Sequence, residues 1–154
     1  MASELHRRFR YHTWAMSRLA GALPDEGAEA ARIPLAHALI ADRVWLLRLR
    51  GDSTDGVALW PDLDASAIRA LARRNAAAYA LYLNDLDDVG ATIDYTTSKG
   101  EVYTSTVSDV LNHVLLHASH HRGQVNAALR QAGHEPQWVD FIAWLRAGEP
   151  SAED

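Results

Sequence analysis

The chain has 154 residues, no cysteine and a net charge of −5. A chain of this length forms one domain that buries about two thirds of its unfolded surface, so it needs no disulfide or structural metal to fold. The absence of cysteine excludes disulfide scaffolds, zinc fingers, iron–sulfur clusters and catalysis by a protein thiol.

Charge and hydropathy also bear on partners and location. The acidic balance gives no basic patch for nucleic-acid phosphates, so we expect no nucleic-acid partner. No apolar run approaches the ~18 residues of a transmembrane helix, and residues 1–4 lead into charge rather than into a signal peptide's apolar segment. We therefore expect a cytoplasmic protein that has no membrane partner.

Apolar side chains at three- and four-residue steps predict a first helix over residues 3–23. Ser3 is its predicted N-cap. The residues on its apolar side are Leu5, Phe9, His12, Met16, Leu19 and Leu23. The helix is predicted to end before residues 24–27, because this segment contains a proline and a glycine, which favour turns.

Two further helices follow the same spacing. The second is predicted from about Pro34, placed in the first turn, to Arg50, and Gly51 ends it. The third is capped by Asp64 and carries Tyr79 on its buried side.

The second half of the chain predicts a hairpin and two more helices. Residues 93–97 and 102–106 are rich in strand formers and flank a turn. A fourth long helix is predicted over residues 105–132, and a short fifth segment over residues 139–145 packs its aromatic residues across the bundle.

These elements predict an all-α four-helix bundle with a short β-hairpin between helices three and four and a short C-terminal helix. We expect a single domain over residues 1–148 and a disordered tail over residues 149–154.

The most informative feature is the fourth helix, where His113, His117 and His121 stand at every fourth position. A four-residue step on a helix turns about 40° and rises about 6 Å, so His117 and His121 point the same way. Two imidazoles so arranged can bind one metal ion.

A metal held by two histidines needs a further ligand, because catalytic sites usually have three protein ligands and a water. On a helical wheel His37 falls within about 60° of Ala41 and Val44, among apolar neighbours, as a cross-helix ligand would. Asp42 lies about 140° away from His37 and is a poor co-ligand.

Other histidines stay open as candidates. His12 also interrupts an apolar stripe, although a histidine so placed is more often a hydrogen-bonded core residue. His113 reaches the metal only if the ion sits off the helix normal, and His120 lies about 60° from His117 on the other side. We interpret His113 and His120 as residues that surround the ligands.

Arg122 and Gly123 follow the histidines directly. Arg122 is predicted to pair with a carboxylate, Asp42 or Asp109, since a partly buried arginine is usually paired. Gly123 in mid-helix costs about 1 kcal/mol relative to alanine, which predicts close approach of another helix or of the hairpin.

Three stretches of the chain resemble a known family. Residues 117–124 resemble the H-x-x-H-H-R-G-Q signature of DinB/YfiT-like proteins. Residues 37–46 resemble the H-x₅₋₇-W-L element of that family, and residues 11–16 are similar to the family's Y-N-x-W-A-N pattern. The hairpin and the C-terminal aromatic element also fall where the family has them, so the resemblance covers nearly the whole chain.

The resemblance implies a four-helix bundle that binds one divalent metal, nickel or zinc, through His37, His117 and His121. We further expect a pocket lined by Tyr11, Trp14, Met16 and Tyr79. His12 and Met16 stand where the family often has asparagine, which leaves His12 open as a fourth ligand or an acid–base residue.

A three-histidine site with an exchangeable position suits Lewis-acid chemistry. Members of the superfamily use low-molecular-weight thiols, so the resemblance implies an S-transferase type of metalloenzyme that acts on or with a small-molecule thiol. One alternative is a metal-hydroxide hydrolase in which His120 or His12 moves protons. Another is a non-enzymatic, stress-related metal-binding or interaction protein, and a homodimer through the helices is a hypothesis that the sequence leaves open.

Overall fold

The computed structural model describes residues 2–153, with side chains from residue 4 onward. The elements in chain order are α1 (Ala2–Ala22), α2 (Glu29–Arg50), α3 (Ala65–Asn84), β1 (Thr92–Thr96), β2 (Val102–Thr106), α4 (Val107–Gln131) and α5 (Phe141–Arg146). This order confirms the predicted helical bundle with a hairpin between the third and fourth helices. The side chain of Ser3, the predicted N-cap, lies outside the described residues.

The second helix begins earlier than the sequence predicts. The amide N–H groups of Ala31 and Arg32 both donate to the carbonyl of Ala28, at 3.0 and 2.9 Å, so α2 starts at Glu29. Pro34 then lies inside α2 rather than in its first turn. A proline inside a helix lacks an N–H donor and crowds the carbonyl four residues before it, but Pro34 stands close to the start of α2, and the helix continues on both sides of it.

Side-chain caps fix where two other helices begin. The Asp64 carboxylate accepts a hydrogen bond from the amide of Ala67 at 2.7 Å, which confirms it as the N-cap of α3. Thr106 caps α4 by accepting from the amide of Asp109 at 3.1 Å. Because Thr106 is also the last residue of β2, the hairpin passes directly into α4 and its position is tied to that helix.

The bundle is built from two extensive helix pairs, α2 with α4 and α1 with α3, which α2–α3 and α1–α4 contacts join. One core cluster surrounds Leu35, Leu129 and Trp144, and a second surrounds Phe9 and Leu111. Within residues 2–153, the helices lack the combination of length and apolar character that crossing a membrane requires.

The hairpin lies over α2. Its strands are antiparallel, with Thr92 opposite Thr106 and Tyr95 opposite Tyr103. The Tyr95 ring packs edge-on against Trp45 of α2, with 5.0 Å between the ring centroids. Strand β1 is thereby held beside the α2–α4 pair.

The C-terminal helix is anchored to the bundle by its tryptophan. Trp144 is fully buried, and its indole N–H donates to the carbonyl of Pro150 at 2.9 Å. Glu149, in the predicted tail, accepts a hydrogen bond from Nε of Arg7 at 2.9 Å.

Two leucines on α4, one buried and one exposed, provide a test of how much core packing contributes to the free energy of unfolding. Leu111 is 0% exposed and Leu116 is 72% exposed. We expect Leu111→Ala to lower the free energy of unfolding by about 2–5 kcal/mol, because it leaves a cavity in the packed core. The matched control Leu116→Ala should change it by about 0.5 kcal/mol or less. Urea unfolding of both variants measures the difference, and similar values would contradict this packing.

Candidate metal centre

The structure brings together three of the predicted site residues. His37 projects from α2, and His117 and His121 project from α4. One ring nitrogen of each lies within 4.8 Å of those of the other two, so these side chains form a group that could hold a metal ion. Their ring centroids are 4.5 Å apart for His117 and His121, 4.8 Å for His37 and His121, and 5.3 Å for His37 and His117.

The spacing of the two α4 nitrogens fits a shared ion. The Nε2 atoms of His117 and His121 are 3.2 Å apart. Two imidazole nitrogens bound to one tetrahedral ion at ordinary zinc–nitrogen distances lie about 3.3 Å from each other. The four-residue helical step therefore places these two nitrogens as a pair of ligands needs them.

A backbone carbonyl orients the third histidine. Nδ1 of His37 lies 2.7 Å from the carbonyl oxygen of Leu59, and because a carbonyl only accepts, Nδ1 carries the proton and donates. The lone pair of His37 is then on Nε2. Trp60 stacks on the same ring, with 3.7 Å between the centroids and 5° between the planes. The loop between α2 and α3 thus sets both the tautomer and the orientation of His37.

A glutamine orients His121. Oε1 of Gln124 lies 2.7 Å from Nδ1 of His121 and accepts a hydrogen bond from its N–H, while the amide nitrogen of Gln124 donates to Nε2 of His120 at 3.1 Å. This leaves the Nε2 lone pair of His121 facing His117. His120, a candidate proton carrier in the sequence, is an exposed residue that is hydrogen-bonded to this glutamine.

Burial favours the neutral form of the α4 histidines. It lowers the pKa of His117 to about 4, helped by the neighbouring His121 and His37. Burial also lowers the pKa of His121, against the hydrogen bond to Gln124, which raises it. A neutral imidazole is the form that binds a metal, so at neutral pH these two rings are ready to act as ligands.

A cavity of about 360 Å³ opens beside the cluster. His37 and His117 line one part of it, and α2, the α2–α3 loop and the hairpin supply the rest. The other lining residues are Ala41, Val44, Trp45, Arg48, Leu59, Tyr95, Thr97, Ser98 and Tyr103. A chamber of this size suits a small organic molecule.

His12 lies in the core instead of in this cavity. It is 1% exposed, and its Nε2 donates to Oδ2 of Asp42 at 3.0 Å. Its partner Asp42 lies on the far side of α2 from His37, as the helical wheel predicts. The sequence predicts that His12 faces inward, and the residue it meets there is a carboxylate.

The four predicted pocket residues lie elsewhere. Met16 is buried in the core, and Tyr79 is buried with its hydroxyl donating to the backbone carbonyl of Asp42 at 2.7 Å. The Tyr11 hydroxyl donates to the carbonyl of Val139 at 2.7 Å, and Trp14 lines a different cavity near the C-terminus. Since α1 packs mainly on α3, its aromatic side chains do not reach the wall formed by α2 and the hairpin.

The structure also corrects two predictions for the residues after His121. Arg122 contacts Tyr11, with Nη2 3.3 Å from the hydroxyl and the guanidinium 5.2 Å from the ring centroid, and it forms no ion pair with a carboxylate of the residues that the structure describes. Gly123 is exposed, and a Cβ added there would meet nothing within 4 Å. No close approach of a second element therefore explains this glycine.

Similarity to known proteins extends over most of the chain. A model of the DinB family matches residues 7–152. The chain belongs to the DinB family. Protein DinB of Bacillus subtilis (strain 168) is 27% identical to it over 119 residues, which cover 72% of this chain and 69% of that relative. The family resemblance stated from residues 117–124 is confirmed, and the three histidines of this DinB-family chain are compatible with metal binding.

Four residues of the site were not predicted from the sequence, namely Leu59, Trp60, Arg48 and Gln124. Leu59 and Trp60 lie in a loop, where no periodicity indicates what a residue faces. Helical spacing could have identified Arg48, because eleven residues after His37 a side chain on the same helix lies only about 20° away from it on a helical wheel and so faces the same way. The same holds for Gln124 relative to His117, seven residues before it.

The lowered pKa of His117 predicts a pH-dependent stability. The unfolded chain protonates this histidine below about pH 6.5, but the folded chain does so only below about 4. The metal-free protein should therefore lose stability progressively as the pH falls from about 6.5 to about 4, because protons bind preferentially to the unfolded state. Urea unfolding across this interval measures the slope, which His117→Gln should reduce and His134→Gln should leave unchanged. An equal slope in the His117→Gln variant would contradict the assignment.

Proposed function

We propose that this DinB-family protein binds one divalent metal ion through Nε2 of His37, His117 and His121 and acts with a small-molecule thiol. The observation that carries the proposal is the convergence of these imidazole nitrogens from two helices, with ligand atoms within 4.8 Å of one another. Imidazole ligands suit zinc and nickel, among other divalent ions.

The surrounding residues fix the tautomers of His37 and His121, and burial favours the neutral form of His117 and His121. The Leu59 carbonyl accepts a hydrogen bond from Nδ1–H of His37, and the Gln124 side-chain oxygen accepts one from Nδ1–H of His121. Each bond directs the opposite ring nitrogen to the shared centre. Burial keeps His117 and His121 neutral, so metal binding has few protons to displace at neutral pH. A divalent ion held there supplies Lewis-acid chemistry, which activates a thiol or a water molecule.

The adjoining cavity favours a thiol over a metal-hydroxide hydrolase. Its lining includes aromatic and aliphatic side chains, and His12 and His120, the two candidate proton carriers of the hydrolase, are not among the residues that line it. The protein has no cysteine, so a thiol must come from outside. In the transfer we propose, the thiol sulfur forms a bond to an electrophilic carbon, the leaving group departs with its electron pair, and the thiol proton passes to solvent.

A cytoplasmic location, a homodimer and a role in a stress response all stay predictions.

Metal content tests the ligand set. Protein purified without an affinity tag and reloaded should hold about one equivalent of zinc or nickel, as a three-histidine site requires. His37→Ala and His121→Ala should each lose that metal, whereas the control His134→Ala should retain it. Elemental analysis after gel filtration gives the ratio, and metal retained in His37→Ala would exclude His37 as the third ligand.

Thermal stability tests the thiol. The zinc-loaded protein should gain melting temperature in 2-mercaptoethanol and not in the matched diol ethylene glycol, because only the thiol provides a sulfur ligand. His117→Ala, which removes one proposed ligand, should abolish the gain. An equal response to the two compounds would contradict the thiol and favour the hydrolase or the non-enzymatic metal binder.

Gln124 provides a test of how the ligands are held. Gln124→Ala should weaken metal affinity by about 10–100-fold, because His121 loses the partner that fixes its tautomer. Gln131→Ala, at the exposed end of the same helix, is the control and should bind as the wild type does. Competition with a chelator measures both affinities, and an unchanged value for Gln124→Ala would show that the hydrogen bond to His121 does not matter for binding.

A further inference from the structure

Arg48 is a cation on the cavity wall that has no anionic partner. Other arginines, such as Arg7, Arg32 and Arg69, pair with carboxylates. Within residues 2–153, no carboxylate oxygen lies within 4.0 Å of the Arg48 guanidinium, and its one hydrogen bond to the protein runs from Nη2 to the carbonyl of Thr96 at 3.0 Å. Its Nε is buried without a hydrogen-bond partner.

Aromatic rings hold this guanidinium in a partly desolvated position. Its central carbon lies 4.5 Å from the Trp45 ring centroid and 5.2 Å from that of Tyr95. Burial lowers the pKa of Arg48, which means that the surroundings penalise its charge. An arginine stays protonated all the same, so a desolvated guanidinium without a counter-ion gains when an anion binds beside it.

The same cavity presents three kinds of chemical group. His37 and His117 line it together with Arg48, while Trp45, Tyr95 and Tyr103 provide flat apolar walls. A bound molecule can therefore meet the imidazole cluster, aromatic faces and a cation at once. Neutral apolar ligands would use only the aromatic faces.

We propose that the cavity binds a small organic acid, with its anionic group at Arg48 and its apolar body against Trp45 and Tyr95. This inference rests on the proposed function in one respect, namely that the end of the molecule at His37 and His117 is the reacting end. Arg48 is then the residue that selects an anionic substrate or thiol over a neutral one.

A matched ligand pair tests the proposal, with benzoate as the anion and benzamide as its neutral counterpart. Two-dimensional NMR that follows the indole N–H of Trp45 and the Nε–H of Arg48 gives both dissociation constants. Wild-type protein should bind benzoate about tenfold more tightly than benzamide, as expected when a charge-assisted hydrogen bond forms. Equal affinity for the two compounds in the wild type would overturn the proposal without any variant.

Variants separate recognition from a purely structural role of Arg48 in holding the hairpin. Arg48→Gln should remove the preference for benzoate and Arg48→Lys should restore part of it, while the exposed control Arg43→Gln on the same helix should keep it. A preference that survives in folded Arg48→Gln would overturn the assignment.

Each titration is run on the protein as purified and after removal of metal by a chelator. The preference should persist without metal. A preference that disappears with the metal but survives in Arg48→Gln would place the carboxylate at the histidines and overturn the proposal. Failure of the metal-content experiment leaves the benzoate preference standing, so the two proposals fail separately.

Discussion

The packing of α2 against α4 is the constraint on which the candidate site depends. A metal ion needs its ligands at fixed separations, and His37 reaches His117 and His121 only across this helix pair. Small residues of both helices are buried in the same core cluster, including Ala38 of α2 and Ala118 of α4, both 0% exposed. Since interaxial distance follows the size of the side chains at a helix contact, small core residues on both helices are compatible with a close approach.

The rotation of α2 about its axis matters as much as its distance from α4. Three hydrogen bonds fix the side of α2 that faces away from His37. Asp42 accepts from His12 of α1 at 3.0 Å, and the carbonyls of Leu39 and Asp42 accept from Asn75 and Tyr79 of α3 at 2.8 and 2.7 Å. Buried polar groups that are paired in this way define a single arrangement, because rotating the helix would leave each of them without a partner. The side of α2 that carries His37, Ala41, Val44 and Arg48 is thereby turned to the cavity.

Helical periodicity explains which parts of this site could be predicted from the sequence. The spacing on α4 placed His117 and His121 together, and the wheel of α2 placed His37 inward and Asp42 on the other side. The cavity wall could not be predicted in the same way, because the loop that carries Leu59 and the hairpin that carries Tyr95 have no period relating them to the helices. His12 shows the limit within a helix. Periodicity gave its inward direction, but its partner depends on how α1 packs against α2.

The charge balance of the site links the three histidines to Arg48. Three imidazoles contribute no negative charge, so a divalent ion held by them would keep its full charge in a partly buried position. No aspartate or glutamate lines the described cavity, and the nearby carboxylate of Asp42 is hydrogen-bonded to His12. Arg48 adds a further positive charge on the same wall. A negatively charged ligand would therefore stabilise both a bound ion and the guanidinium, and this shared electrostatic demand supports the proposal that a thiolate or a carboxylate occupies the cavity.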